Sequence, residues 1–294
     1  MRYILENEVL RVEVDSFGAE LKSVQDKITG QEYMWQADPT YWGRTSPVLF
    51  PFVGRLRNNT FQHGGKTYQM RQHGFARDME HCLVSKDDTS IWFKLVTSNE
   101  TLELFPFSFI LRIGYELHGN EVKVLWEVNN NSLDKHMHFA IGAHPAFNCP
   151  IHGEDSKAGY KLYFAGLDEV HYSTTDATTG LALDDDNVLP LENHRATITP
   201  DFFDKYTYIV EDRQTHEVGI EDPDGNRYIT VLFNTPLFGL WSPEGKNAPF
   251  LCIEPWHGRC DSLDFEGTLK HRAYDNVLEA GNKFNTSYII RFGK

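Results

Sequence analysis

The sequence predicts an all-β protein of antiparallel strands, and three observations lead there. Short alternating runs rich in Val, Ile, Phe, Tyr and Trp recur along the chain. The joints between them carry Gly, Asp, Asn and Pro. No stretch of ten or more residues shows an apolar stripe of helical period.

The runs read as half-buried strands in order: 8–14 (EVLRVEV), 91–97 (IWFKLVT), 107–117 (FSFILRIGYEL), 121–129 (EVKVLWEVN), 227–233 (RYITVLF) and 286–292 (TSYIIRF). In 121–129, Val122, Val124, Trp126 and Val128 share one face while Lys123 and Glu127 take the other, which is period two. Turn chemistry at 15–18, 63–65, 118–120, 222–225 and 280–282 joins such runs as hairpins. Segments 201–206 and 275–280 are each expected to hold a turn or two of helix.

Composition sets limits on function. The chain has 294 residues, 40% of them hydrophobic, enough for a large core. No linker, charge block or repeat divides it, so one domain over 1–294 is expected. Lys plus Arg number 28 against 42 for Asp plus Glu, and a net charge of −14 repels phosphate backbones and anionic lipid. Neither nucleic acid nor membrane is an expected partner; oligomeric state is not readable. The first residues lack the apolar stretch of a leader, and the four cysteines form no CxxC pair, so a cytoplasmic protein with reduced thiols is expected.

Three stretches break the strand pattern: 47–59, 136–148 with its companion 72–77, and 250–261. In each, an apolar lead-in delivers a titratable residue beside Gly or Pro. Glu254 ends the run Phe250–Ile253 between that apolar segment and Pro255–Trp256, where partial desolvation would raise its pKa toward a useful base. The competing reading is an ion pair with an arginine. His144, bracketed by Gly142 and Pro145, is the best acid/base candidate among the thirteen histidines. His136 and His138 read as ordinary strand histidines. They lack the following carboxylate of a two-histidine metal site, so no metal is expected. His73 and the pair Arg55 and Arg57 offer hydrogen-bond donors. Phe52, Phe147, Phe238, Trp241 and Trp256 could stack on a pyranose, although most aromatics in such a protein are core.

Together, GRLRN at 54–58, QHGFAR at 72–77, GAHPAFN at 142–148, Asp204 in FFDKY and CIEPWHGRCD at 252–261 resemble the aldose 1-epimerase (galactose mutarotase-like) family, most of all its LacX-type branch. The likeness runs through nearly the whole chain. It implies a β-supersandwich, a sugar substrate, no metal or organic cofactor, Glu254 as general base and His144 as general acid. By position, His73 and Arg55 would orient the sugar and Asp204 would bind its hydroxyls; of the aromatics, Trp241 and Phe147 are the expected sugar contacts. Ring opening needs a proton taken from the C1 hydroxyl and one given to the ring oxygen, so a carboxylate and an imidazolium on opposite sides of the sugar suffice. A free hexose is the expected substrate. The alternatives are a hexose 6-phosphate held by Arg55, Arg57, Arg77 and Lys205, a silent sugar-binding module, or a glycoside hydrolase using Asp204 with Glu254.

Overall fold

Alternation of apolar and polar residues builds two large antiparallel sheets against one core, beside a three-stranded sheet over 2–26 and three two-stranded pairs. The computed structural model describes residues 1–204 and 207–293. In the nine-stranded sheet the order is Arg195–Thr197, Lys161–Phe164, Glu217–Glu221, Arg227–Phe233, Lys283–Phe292, Glu121–Asn130, Phe109–His118, Ser90–Val96 and Cys82–Lys86. Beside the middle strand Lys283–Phe292 runs the ten-residue strand Glu121–Asn130, paired along nearly its full length on both sides. Val122, Val124, Trp126 and Val128 are at most 1% exposed, as the period-two pattern predicts. Each such burial stabilises by about 1.5–3 kcal/mol before chain entropy is counted.

The smaller sheet runs Tyr208–Val210, Leu237–Trp241, Phe250–His257, Ile141–Ala143 and Val48–Leu49, and Ala146–Asn148 also pairs with Phe250–His257. One face of it carries Leu251, Ile253, Phe147, Phe238 and Leu240 into the same core as the larger sheet. Phe233 and Phe238 bridge the two sheets with ring centroids 5.1 Å apart. The opposite face, bearing Cys252, Glu254 and Trp256, belongs to the site described below.

All six predicted strands are present. The expected helix at 275–280 is instead the strand Asn276–Leu278, which pairs with Met137–Phe139. Its Asn276 amide donates to the Phe139 and His257 carbonyls, a long-range anchor that overrides local propensity. Residues 201–204 form turns and a bend rather than helix, and the rest of that prediction, including Lys205, lies outside the described residues. The α-helix Asn99–Leu104 was not predicted. A reciprocal Ser98–Thr101 cap fixes it, and six residues are too few to show a period. No helix among the described residues is long and apolar enough to cross a membrane.

Candidate active site

The strand Phe250–His257 positions the site through an interruption in its pairing. On one side it pairs with Ala146–Asn148 through Ala146 opposite Cys252, and with Ile141–Ala143 through Gly142 opposite Trp256. Both pairs obey one antiparallel register, so His144, between the two short strands, falls opposite Glu254. Pro145 cannot donate to the ladder, and the break leaves the imidazole free to face the carboxylate. His144 Nε2 lies 3.3 Å from Glu254 Oε2, with the two side chains 9% and 1% exposed.

Glycine makes room on the other flank. Gly239 lies opposite Glu254, and the Trp256 indole lies over it: a Cβ there would come within 2.4 Å of the ring. Trp42 stacks on His144 at 4.7 Å between centroids and Trp241 meets the same imidazole edge-on at 5.2 Å. The Trp35 indole N–H holds the Trp42 carbonyl at 2.9 Å, tying this aromatic wall to the cluster of Trp35, Phe250 and Cys252.

A second chain of contacts places His73. Asp261 accepts from the Arg57 N–H at 2.8 Å while its own N–H donates to the Arg55 carbonyl at 2.9 Å, pinning the segment that contains Gly54. The Gly54 N–H then donates to His73 Nδ1 at 3.1 Å. A neutral His73 therefore carries its proton on Nε2. His73 has a φ of 66° and is followed by Gly74, whose missing Cβ lets the turn close on the Phe50 carbonyl. Gln72 flanks the assembly, accepting from Arg55 Nε at 3.2 Å; its amide nitrogen stands 3.2 Å from the protonated His73 Nε2, an approach of two donors and not a hydrogen bond.

These residues enclose a cavity of about 290 Å³ lined, among the described residues, by His144, Glu254, His73, Trp42, Trp241, Trp256, Arg44 and Arg77 among others. That is near the lower size limit for a small-molecule site. Burial pushes the Glu254 carboxyl well above the usual carboxylate range, opposed only in part by the Trp256 indole. Burial, then the charge of Arg77 and of Arg44, pushes His144 far below the usual imidazole value. Both shifts favour the neutral forms, with the shared proton drawn to the carboxyl. His73 is lowered by burial first and by Arg77 next. Among the described residues neither Glu254 Oε2, which His144 Nε2 approaches without hydrogen-bond geometry, nor His144 Nδ1 has a hydrogen-bond partner, which costs about 1–3 kcal/mol for each buried group unless a ligand meets it.

The structure brings together Glu254, His144, His73 and Trp241. Arg55 stands at the rim, against Gly180 of the lining, and also faces a larger cavity of about 720 Å³ on the far side of Gln72. Phe147 does not reach the site: it is fully buried opposite Leu251 on the core face, because alternation turns it away from His144 and Ala146. Asp204 is exposed and, among the described residues, its side chain accepts from the Gly245 N–H at 3.2 Å; its neighbours Phe202 and Phe203 pack on Tyr208 and leave the carboxylate outside. The carboxylate pair of a glycoside hydrolase is thus not assembled. Arg57 points to the Phe265 carbonyl in a separate cavity. His136 and His138 line another one, with His63.

Glu254 and His144 touch, where sequence reasoning put them on opposite sides of the sugar. Cys252 completes a trio whose donor atoms lie within 4.8 Å of one another. A metal there would need the Cys252 thiolate, and burial holds that thiol well above its ordinary pKa. Trp42 and Arg44 were missed; the signal was the aromatic cluster at 41–44 (YWGR) in a loop without strand pattern.

The aldose 1-epimerase family model matches residues 1–291. The chromosomal LacX protein of Lactococcus lactis subsp. lactis is 34% identical over 272 residues, covering 90% of each chain. Among solved structures, a galactose mutarotase related enzyme from Lactobacillus acidophilus superposes with a TM-score of 0.93 at 33% identity, covering 100% of this chain and 98% of the other. A galactose mutarotase-like protein from Lactobacillus casei gives 0.92 at 30% identity, covering 99% of both.

Proposed function

Because the chain belongs to the aldose 1-epimerase family, we propose that Glu254 and His144 are the acid/base pair with which this isomerase interconverts the α and β anomers of a hexose. The observation that carries the assignment is the contact of the two groups, 3.3 Å apart and buried in the floor of a cavity of sugar size. The C1 hydroxyl and the ring oxygen are bonded to one carbon, so two groups this close reach both at once.

The chemistry needs one proton and one vacant site, and the resting pair holds that combination. Transfer from Glu254 to His144 gives a carboxylate and an imidazolium. The carboxylate takes the hydroxyl proton at C1 while the imidazolium protonates the ring oxygen, opening the ring to the aldehyde. Rotation about C1–C2 and the reverse transfers close the other anomer. His73 Nε2–H, fixed as a donor by Gly54, stabilises charge that develops on oxygen. Trp241 and Trp42 offer apolar faces to the sugar. The four cysteines are free thiols, Cys82 exposed, which suits a reducing cytoplasm.

NMR exchange between anomers of glucose and of galactose, with the wild type and Glu254→Gln, tests this. Acceleration that disappears in the variant is expected; an unchanged rate in Glu254→Gln refutes the assignment. Protonation of His144 sets the acid limb of the pH profile and ionisation of Glu254 without transfer to His144 sets the alkaline limb. Burial lowers the first and raises the second, so kcat/KM should show one broad plateau whose two apparent pKa values belong to the pair.

A further inference from the structure

Asp261 is buried just past the end of the strand that carries Glu254. It does not line the acid/base cavity, although Cys260 before it does. Its contacts nevertheless hold two segments that reach the cavity. The first is 54–57, bound at the Arg55 carbonyl by the Asp261 N–H and at the Arg57 N–H by Oδ2. The second is the turn whose Thr175 and Gly180 line the cavity, bound at the Ala182 N–H by the Asp261 carbonyl at 2.9 Å. The remaining oxygen, Oδ1, accepts from Arg272 Nε at 2.7 Å. That guanidinium is itself fixed, with Nη1 3.3 Å from Asp275 and Nη2 donating to the Arg259 carbonyl at 2.8 Å. Gly54 passes the placement on to His73 in both directions. Its carbonyl accepts the His73 N–H at 2.8 Å while its own N–H donates to His73 Nδ1 at 3.1 Å. Gly54 also packs so closely on Cys260 that a Cβ would lie 2.5 Å from the Cys260 Cβ.

Resting on the epimerase reading, we infer that Asp261 is a positioning residue for the reaction, fixing His73 as an Nε2–H donor through residues 54–57. A buried ion pair such as that of Asp261 with Arg272 contributes little net stability, because desolvation offsets its attraction. The need for a carboxylate comes instead from two donors that arrive on different oxygens, Arg57 N–H on Oδ2 and Arg272 Nε on Oδ1. Asparagine offers one oxygen and turns an N–H₂ toward the other donor, so it cannot satisfy both. The orientation matters at His73. A group that stabilises charge on the substrate's oxygen must present a proton, and the other neutral tautomer would present a lone pair at Nε2. The Gly54 N–H at Nδ1 excludes that tautomer only while residues 54–57 stay in place.

Two readouts test this, and the first needs no activity. Nitrogen NMR of the imidazoles should show His73 of the wild type as the single Nε2–H tautomer, and Asp261→Asn should convert it to a mixture of both. In anomer exchange of galactose, Asp261→Asn should lower kcat about 10-fold with KM held within about twofold. His73→Asn should lower kcat about 10²-fold, and adding Asp261→Asn to it should cost less than about twofold more, since the relay then has no end. Phe147→Leu, destabilised on the core face, should leave both the tautomer and kcat unchanged. Arg272→Lys keeps the charge and gives up the fork, so it should show a milder form of the Asp261→Asn result and carries the test if that variant does not fold. An unchanged His73 tautomer, or the same fractional loss from Asp261→Asn with and without His73, would overturn the inference and leave Asp261 a residue of the fold alone. Neither result touches the epimerase reading, which falls only if the wild type accelerates no sugar; the tautomer readout then still decides the placement of His73.

Discussion

The two sheets share a core and are built to different rules. In the nine-stranded sheet, strands of ten residues pair almost without a break, and Glu121–Asn130 alternates buried and half-exposed residues from end to end. In the smaller sheet the central strand Phe250–His257 is buried along seven of its eight residues and is met by two three-residue strands with His144 between them. The register nevertheless persists across the gap. A broken ladder held in register places two titratable side chains face to face with the rigidity of a sheet, and the unbroken sheet behind it supplies stability that the break gives up.

The largest expected effect separates the sheets by charge. Glu254→Gln should lower kcat about 10²- to 10⁴-fold, the range of a lost acid/base group. Glu127→Gln on the larger sheet, where the carboxylate sits 3.7 Å from half-exposed Arg112, should leave the rate alone and shift stability by less than about 1 kcal/mol. Stability carries a second sign. The folded-state pKa of Glu254 is raised, so its contribution is whole below the ordinary carboxylate range and is lost as pH climbs through the raised value. Thermal melts should therefore show Glu254→Gln gaining on the wild type as pH rises from about 4.5. A constant difference would mean that the carboxyl is not held neutral.

Next in size is a matched pair of glycines. An added Cβ at Gly239 would lie 2.4 Å from Trp256, and one at Gly114 would lie 2.6 Å from half-buried Trp92 on the larger sheet. Each alanine should cost about 1–3 kcal/mol of stability from overpacking. Only Gly239→Ala should also lower activity per folded molecule, by about 10-fold, because the displaced indole roofs the acid/base pair. Equal activity losses at both positions, read by anomer exchange at matched folded fraction, would erase the functional difference between the sheets.

Phe147 tests the two faces of the smaller sheet. Phe147→Leu should destabilise by about 1–2 kcal/mol in denaturant melts and leave KM for the sugar unchanged, since the ring lies fully buried on the core face. A raised KM would restore the expectation that this phenyl meets substrate.

How much of this was legible in the sequence follows the same division. The larger sheet could be read from alternation, because the two faces of Glu121–Asn130 meet core and solvent and nothing else competes. Glu254 and His144 stood out as titratable residues at the ends of apolar runs. Their contact did not, because it depends on a register between residues 110 positions apart. Phe147 was misplaced although its parity was visible: His144 and Ala146 share a face and Phe147 takes the other. Trp42 and Arg44 sit on a loop whose aromatics gain meaning only once Phe250 and His144 are known to lie beneath them. Asn276–Leu278 was misread as helix because its partner strand lies far away in sequence.

Asp204 should give the smallest effect. Its motif position suggested a ligand for sugar hydroxyls, yet the side chain is exposed and meets a backbone N–H of the 244–247 turn. Asp204→Asn keeps an acceptor for that N–H and removes a charge that solvent already screens, so stability should move by less than about 0.5 kcal/mol. KM should stay within about twofold, because a contact worth a hydrogen bond to substrate would cost about tenfold when lost. Titrating wild type and Asp204→Asn with the same sugar decides the matter: a tenfold rise in KM would mean that the turn closes over bound substrate and brings the carboxylate to it.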